Sequence, residues 1–472
     1  MNGAYDVIVV GAGISGLICG AKLSKEGFSV LVLEKNSYAG GCICGVRKKD
    51  FYFDYGAHLF GSLSAHGIFK YYLDSLNVKD LDFIRISPSD RYFFSDEKVE
   101  IPEDLDEYVE MLKTKFPTSS RRINSFFREV IQIARSYSSE KKLSRFYDLK
   151  FIDLVRKHFS DIKLIGVLMA SFSYLGIAPG QLGATSMSLM MISYLRDGTF
   201  YPKGGTQAIP DAFVRGIKNT GGEIKLCEEV RKICIVRDNV KLITTSKKNQ
   251  YSSKAVVIAS DVRRAFSNII DCSKLPAGYL SFLKKLKVGP SFFTMYLGLN
   301  KINDLSEKCG WYHSSYNLEA NDESPFYAFS PSCIDNSLVA SDKSVLQLAM
   351  PFYEENTSEI DWEKRKYMFQ IWIWKKICEV MPHLREQVLY EEVSSPSTIE
   401  KFTFNTNGSM CGWEMSPQCM HLKRLYNKTP IEGVYLAGHW TNPGGGVAPS
   451  ATSGWIAAEQ VREYISLLMQ TR

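Results

Sequence analysis

The feature that most constrains this chain lies within its first 34 residues. Asp6-Val-Ile-Val-Val10 is a β-branched run, and Gly11-Ala12-Gly13-Ile14-Ser15-Gly16 follows it directly. An apolar helical pattern through Leu17, Ala21 and Leu23 then continues to Lys25, and after Gly27 a second apolar run, Ser29 to Leu33, stops at Glu34. Strand, glycine turn, helix, strand and terminal acid in this order predict a parallel βαβ unit that holds a dinucleotide. Gly11 permits the tight turn out of the first strand. Gly13, lacking a Cβ, lets a pyrophosphate approach the amides at the positive end of the helix. Gly16 allows the helix to lie close on the sheet. Glu34 is placed to accept hydrogen bonds from ribose hydroxyls.

Which dinucleotide is bound depends on residues outside this unit. Gly40-Gly41 stands just beyond Glu34, ahead of Cys42-Ile-Cys44-Gly-Val and Phe53-Asp54-Tyr55-Gly56-Ala57-His58. A second glycine pair suits a larger, bent cofactor, yet the same residues also read as an ordinary hairpin turn. At the far end, Gly433-Val-Tyr-Leu-Ala-Gly438 reads as a strand, followed by His439-Trp-Thr-Asn-Pro-Gly444-Gly445-Gly446-Val447 and an alanine-rich helix. Three consecutive glycines opening a helix offer backbone amides and a positive dipole to an electron-rich group.

Taken together, these segments resemble the phytoene desaturase-like family of FAD oxidoreductases (carotenoid desaturases and isomerases, retinol saturase), within the flavin amine oxidase superfamily. Tyr201-Pro-Lys-Gly204-Gly205-Thr206, Gly221-Gly222, Ala255 to Ser260, Pro396-Ser-Thr398, Asn407-Gly-Ser and Gly412-Trp413 match further landmarks in the right order. The resemblance spans the whole chain. It implies an α/β fold: a discontinuous Rossmann-like (GR2-type) FAD-binding domain with a mixed α+β substrate domain. It also implies FAD contacts from Gly11, Ala12, Gly13, Ser15 and Gly16 to the pyrophosphate, and from Glu34 and Lys35 around the adenosine ribose. Gly40, Gly41 and Cys42 would flank the ribityl chain and diphosphate, and Val230 would meet the adenine through its backbone. Gly56, Ala57, His58, Gly438, His439, Gly446, Val447 and Ser450 would lie along the ribityl chain and isoalloxazine. Two positions depart from the pattern. Cys42 stands where the family commonly has a basic residue, and His439 stands where an acid often follows the strand glycine. His58 and His439 are the candidate catalytic acid–base groups, because imidazole titrates near neutral pH. Both read equally as plain hydrogen-bonding residues.

Composition narrows the remaining classes. The 57 basic and 51 acidic residues give a net charge of +6, but the basic pairs are scattered, so no nucleic-acid surface is expected. With 45 % hydrophobic and 23 % charged residues, the chain is not disordered. Eleven cysteines without a Cys-x-x-Cys or a signal-like segment fit a reducing cytoplasm. No metal site is expected, since the seven histidines contain no His-Glu-x-x-His. Leu164 to Leu195 carries no charge over 32 residues. Gly176, Pro179-Gly180 and Gly183 interrupt it, which favours two buried helical pieces joined at Pro179 over a membrane span. This segment is expected near the mouth of an apolar cavity, with an exposed patch for peripheral membrane attachment.

The expected division assigns residues 1–63, 201–262 and 426–472 to the FAD-binding domain, and 64–200 (mainly helical) and 263–425 to a substrate and lid domain. The expected activity is oxidoreduction at C–C bonds of a lipophilic, isoprenoid- or polyene-like substrate, by hydride transfer to or from flavin. Desaturation, saturation and isomerisation all remain open; Gly56-Ala57-His58 resembles the Gly-x-His variant of the isomerase and saturase branches. The alternatives are a flavin amine oxidase acting on a small amine and a non-catalytic prenyl-protein binder like the Rab GDP-dissociation inhibitors. His439-Trp440-Thr441 departs from the Thr-Glu usual in the amine oxidases, and the intact glycine and acid features disfavour the non-catalytic reading. The oligomeric state is left open.

Overall fold

The first apolar run splits between two cores. Val7 and Val9 pack with Val30, Val32, Ala255 and Val257 on one side. Ile8 and Val10 pack with Leu31, Leu33, Val256 and Ile258 on the other. Such two-sided burial explains why these strands show no polar alternation. The computed structural model describes residues 2–470 apart from 138–139, 237–239, 271–274, 320–323, 355–356 and 358. In it the strand Gly3–Val10 pairs in parallel with Val30–Leu33 and with Gln250–Ile258. Glu223–Lys225 extends the parallel sheet on one side, and Val434–Leu436 pairs with the end of Gln250–Ile258 on the other. Val230–Val236 and Val240–Thr245 join the beginning of Gln250–Ile258 as an antiparallel meander. Helices Ile14–Lys25, Ala208–Asn219 and Val447–Gln470 cover one face.

A second sheet runs in the order Val388–Ser394, Ser291–Asn300, Lys343–Phe352, Phe326–Phe329, Gly310–Tyr312, Asp90–Phe93, Lys98–Ile101. Helix Trp362–Val380 covers one face through Phe369, Ile373 and Ile377, against Phe293, Leu297 and Leu348. Phe292, Thr294, Tyr296 and Ala349 from the other face border a cavity. The hairpin Asp90–Phe93/Lys98–Ile101 departs from the helical expectation for residues 64–200. Its strands are four residues long, with Arg91, Lys98 and Glu100 on the charged side, too brief an alternation to stand out in sequence. Phe200–Pro202 pairs with Phe83–Arg85 and not with the parallel sheet. Helix Ile68–Ser75 packs Tyr72 on Trp455 of the C-terminal helix, with ring centroids 4.9 Å apart.

The uncharged segment forms helices Ile162–Met169 and Ala184–Met191, joined by irregular turns around Pro179. It packs in the helical core with Phe126, Val130 and Phe151. Only Gln181 between 164 and 195 is exposed. The expected exposed patch is therefore absent from this stretch: its apolar side chains are used to pack the helices and wall the cavity. No helix among the described residues is long and apolar enough to cross a membrane.

Candidate active site

The glycine turn is built by close packing on three sides. Gly11 has φ +105°, and a Cβ there would lie 2.6 Å from the Ala259 carbonyl oxygen. A Cβ on Gly16 would lie 2.1 Å from the Gly11 oxygen, so Gly16 is a packing glycine and not part of the cavity wall. Gly13, at the start of helix Ile14–Lys25, is the opposite case: a Cβ there meets no protein atom within 4 Å. The Gly40 N–H donates to the Ala12 carbonyl at 2.9 Å. Gly41, at φ +61°, sits so close that its Cβ would be 3.1 Å from Gly13 Cα. The second glycine pair is thus clamped onto the first, which an ordinary hairpin turn does not require.

Glu34 also serves the turn. Its Oε2 accepts the Ala12 N–H at 2.8 Å and its Oε1 accepts the Asn36 N–H at 2.9 Å. Burial pushes the Glu34 carboxyl up from its ordinary value, and the bonds from Ala12 and Asn36 oppose that shift. Ala12 itself is fully buried and lies off the cavity wall; its contribution is this N–H.

One cavity of about 810 Å³ joins the remaining predicted residues. It runs from Gly11, Gly13, Ser15, Glu34 and Lys35 past Val230, Gly40, Gly41 and Cys42. It continues to Gly56, Ala57 and His58, and to Gly438, His439, Gly446, Val447 and Ser450. Beyond His58 the wall becomes apolar, with Phe292, Leu189, Met190, Trp311, Tyr327 and Met415. Lys35 Nζ lies 4.0 Å above the Phe404 ring and donates to the Lys401 carbonyl at 3.1 Å. Cys42 Sγ accepts from Asn405 Nδ2 at 3.6 Å, and burial pushes its thiol up to about 12, so it is neutral. Gly13, open where every neighbouring glycine is packed, together with the helix amides behind it, provides the cradle that a pyrophosphate needs. The donor set fits a flavin dinucleotide.

Both candidate histidines are neutral at pH 7. His58 stacks on Phe329 at 4.8 Å, and its Nδ1 is buried without a hydrogen-bond partner among the described residues. Burial pulls its pKa down to about 4. His439 is pulled down to about 3, chiefly by burial and further by Arg424, while a bond to the Met410 main chain opposes the shift. Neither imidazole is an imidazolium donor near neutrality, which corrects the reason for choosing them as acid–base groups.

Sequence reading overlooked Arg424 and Asp54. Arg424 is only 1 % exposed. Its guanidinium donates to the carbonyls of Thr441 at 3.0 Å, Cys419 at 3.2 Å, Trp413 at 3.4 Å and His439. Between Lys423 and Leu425 it looks like a surface arginine. Asp54, fully buried, accepts from Tyr201 Oη at 2.8 Å and from Thr206 N and Oγ1 at 3.1 and 2.7 Å. It anchors the hairpin that carries His58.

Residues 14–462 match the family of flavin containing amine oxidoreductases. The chain belongs to that family. This flavin-dependent oxidoreductase is 26 % identical to the 4,4'-diapophytoene desaturase (4,4'-diaponeurosporene-forming) of Staphylococcus aureus strain COL, over 96 % of this chain and 98 % of that one. Its fold is that of an oxidoreductase from Methanosarcina mazei (TM-score 0.70, 18 % identity, 96 % of this chain and 100 % of that chain). Putrescine oxidase, solved with putrescine bound, is also similar (TM-score 0.69, 17 % identity, 98 % and 99 %).

Proposed function

We propose that the oxidoreductase binds FAD noncovalently and desaturates C–C bonds of a lipophilic, polyene-like substrate. Gly11, Gly13 and Ser15 hold the diphosphate, Glu34 and Val230 face the adenosine, and Gly40, Gly41, Cys42, Gly438, Gly446, Val447 and Ser450 follow the rest of the cofactor. His58 and His439 shape the wall beside the ring as neutral groups. When bound, the flavin supplies the two-electron acceptor. Residues 1–63, 201–262 and 426–472 form the FAD-binding part, and 64–200 with 263–425 form the substrate part. The name of the Staphylococcus aureus relative supports a polyene substrate and the desaturating direction.

The observation that carries this reading over an amine substrate is the state of the cavity's carboxylates. Among the described residues four line it: Glu34, Glu229, Asp261 and Glu392. Glu34 holds Ala12 and Asn36, and Asp261 holds the amides of Arg264 and Thr406, both at 2.7 Å. Glu229 pairs with Arg231 at 2.8 Å, and Glu392 accepts from Tyr390 and lies 3.7 Å from Lys48. Each is already engaged, whereas the chamber beyond His58 offers an apolar wall suited to an alkyl or polyene chain. The test is anaerobic mixing of FAD-loaded protein with 4,4'-diapophytoene in detergent micelles, and separately with putrescine. Bleaching of the flavin absorbance by the polyene alone is expected. Bleaching by putrescine alone, with peroxide released in air, would overturn the reading.

The peripheral membrane attachment of the enzyme belongs to the same proposal, with a different surface. Leu422 and Tyr426, 50 % and 53 % exposed, follow two and six positions after Met420 in the chain, and Met420 borders the cavity. Release of the protein from membranes by alkaline carbonate is the expected result.

A further inference from the structure

Behind the apolar chamber lies a carboxyl group for which the flavin site has no use. Asp90, on the edge hairpin of the second sheet, sits on the wall of a smaller chamber of about 50 Å³ that also includes Ser89, Tyr92, Tyr108, Ser171 and Thr199. Tyr174 separates this chamber from the main cavity and lines both. Its hydroxyl donates to Asp90 Oδ2 at 2.9 Å, while Asp90 Oδ1 accepts the Arg91 N–H at 2.8 Å. On the cavity side Tyr174 meets Tyr327 edge to face, with ring centroids 5.5 Å apart. Tyr327 in turn lies against the His58 ring, centroids 6.3 Å apart. A carboxylate thus stands behind a phenol that borders the substrate chamber. The small chamber, at about 50 Å³, exceeds the ~10–15 Å³ that one water needs, which leaves room for a water beside the carboxyl.

We infer that Tyr174, backed by Asp90, accepts the proton released when the substrate is desaturated. This rests on the desaturase reading above. In forming the double bond, one carbon loses a hydride to the oxidant, which is the bound flavin. The neighbouring C–H gives its electron pair to the new π bond and its proton to Tyr174 Oη, as the phenolic proton of Tyr174 passes to Asp90 Oδ2. Tyr174 ends unchanged and Asp90 ends protonated, to be discharged through the small chamber. Tyr174 is the catalytic residue, and Asp90 acts through it.

The charge state of Asp90 sets the pH dependence. Burial pushes its carboxyl up to about 7, with the bonds from Arg91 N–H and Tyr174 and the Arg91 charge opposing. The titratable groups facing it from the packed elements are Arg91, Tyr92, Tyr108, Tyr174, Tyr194 and Tyr327. The phenols stay protonated, because burial raises all five. Proton acceptance needs the Asp90 carboxylate, so the rate falls as pH drops through about 7.

The test uses FAD-loaded wild type, Asp90→Asn and Tyr174→Phe, each checked for flavin content and thermal stability. Two readouts are followed across pH: the rate of anaerobic flavin bleaching by 4,4'-diapophytoene, and, without substrate, the protonated-carboxyl stretch in difference infrared spectra. Both variants are expected to bleach about a hundredfold more slowly, the order that general base catalysis contributes. Asp90→Asn is also expected to lose the pH dependence of the rate and a carboxyl band that titrates near neutrality. If one variant fails to fold, the other still decides. Wild-type rates and pH profile in the folded variants would overturn this inference alone. Failure of the wild-type protein itself to bleach with the polyene would instead overturn the desaturase reading, and the inference with it.

Discussion

Glu34 Oε2 accepts the main-chain N–H of Ala12 at 2.8 Å, so the acid that ends the second strand also fixes the glycine turn that follows the first. A residue read as a ribose ligand is at once a structural brace. Glu34→Ala is expected to weaken FAD by roughly 1.5–3 kcal/mol, the worth of hydrogen bonds to a charged group. It should also lower the melting temperature of the flavin-free protein, since Ala12 and Asn36 lose their acceptor. Flavin titration and thermal denaturation of the apo-protein read the two effects separately.

Gly13 and Gly16, three residues apart, should respond to substitution in opposite ways. A Cβ on Gly13 meets nothing within 4 Å, while one on Gly16 would strike the Gly11 oxygen at 2.1 Å. Gly13→Val is expected to fold with near-normal apo stability and to retain no flavin. Gly16→Val is expected to misfold or to lose several degrees of melting temperature, through overpacking worth ~1–3 kcal/mol or more. Stoichiometric flavin in purified Gly13→Val would refute the placement of the diphosphate.

Arg424 binds the 411–421 loop to the segment that carries His439 and Thr441 through main-chain carbonyls. Arg424→Met keeps much of the side-chain volume but leaves these buried acceptors unpaired, at about 1–3 kcal/mol for each one left unsatisfied. Chemical denaturation should show a loss of at least ~3 kcal/mol. Arg424→Lys should recover only part of it, because an ammonium cannot reproduce the fork of the guanidinium.

His58 and His439 should make the protein acid-labile. Their folded pKa values, about 4 and about 3, lie below the ordinary 6.5. A depressed histidine contributes stability that is fully present above 6.5 and is lost as pH falls from there toward the folded value. Each can change stability by up to about 1.4 kcal/mol per pH unit within that window. Melting temperature should therefore fall between pH 6.5 and pH 4, and His58→Gln should flatten the fall. An unchanged slope in that variant would contradict the buried, neutral state of His58.

The parts legible in sequence were those made by neighbours along the chain. The run from Asp6 to Glu34 encodes strand, turn, helix and strand within one short stretch, and the period and glycine spacing suffice to read it. The order of strands around it, with Gln250–Ile258 beside Gly3–Val10, is set by pairing between segments far apart in the chain. The features that escaped notice were short or non-local. The Asp90 hairpin is too brief for its alternation to register, and Arg424, next to Lys423 in the chain, gives no local sign of burial.

By itself, the sequence determined that a dinucleotide turn opens the chain and that a glycine-rich helix start near Gly446 accompanies it, because both follow from local backbone requirements for φ and for close approach. Only the tertiary structure decided which of those residues face the cavity. It set Gly40 on Ala12 and left Gly13 open, and it turned Glu34 toward the turn's own amides. It also left His58 and His439 neutral and placed Tyr174 against Asp90, 84 positions away in sequence. The physical reason is the same in each case. Burial and partner geometry are properties of packing between distant segments, and a side chain's charge, reach and accessibility are set there and not by its neighbours in the chain.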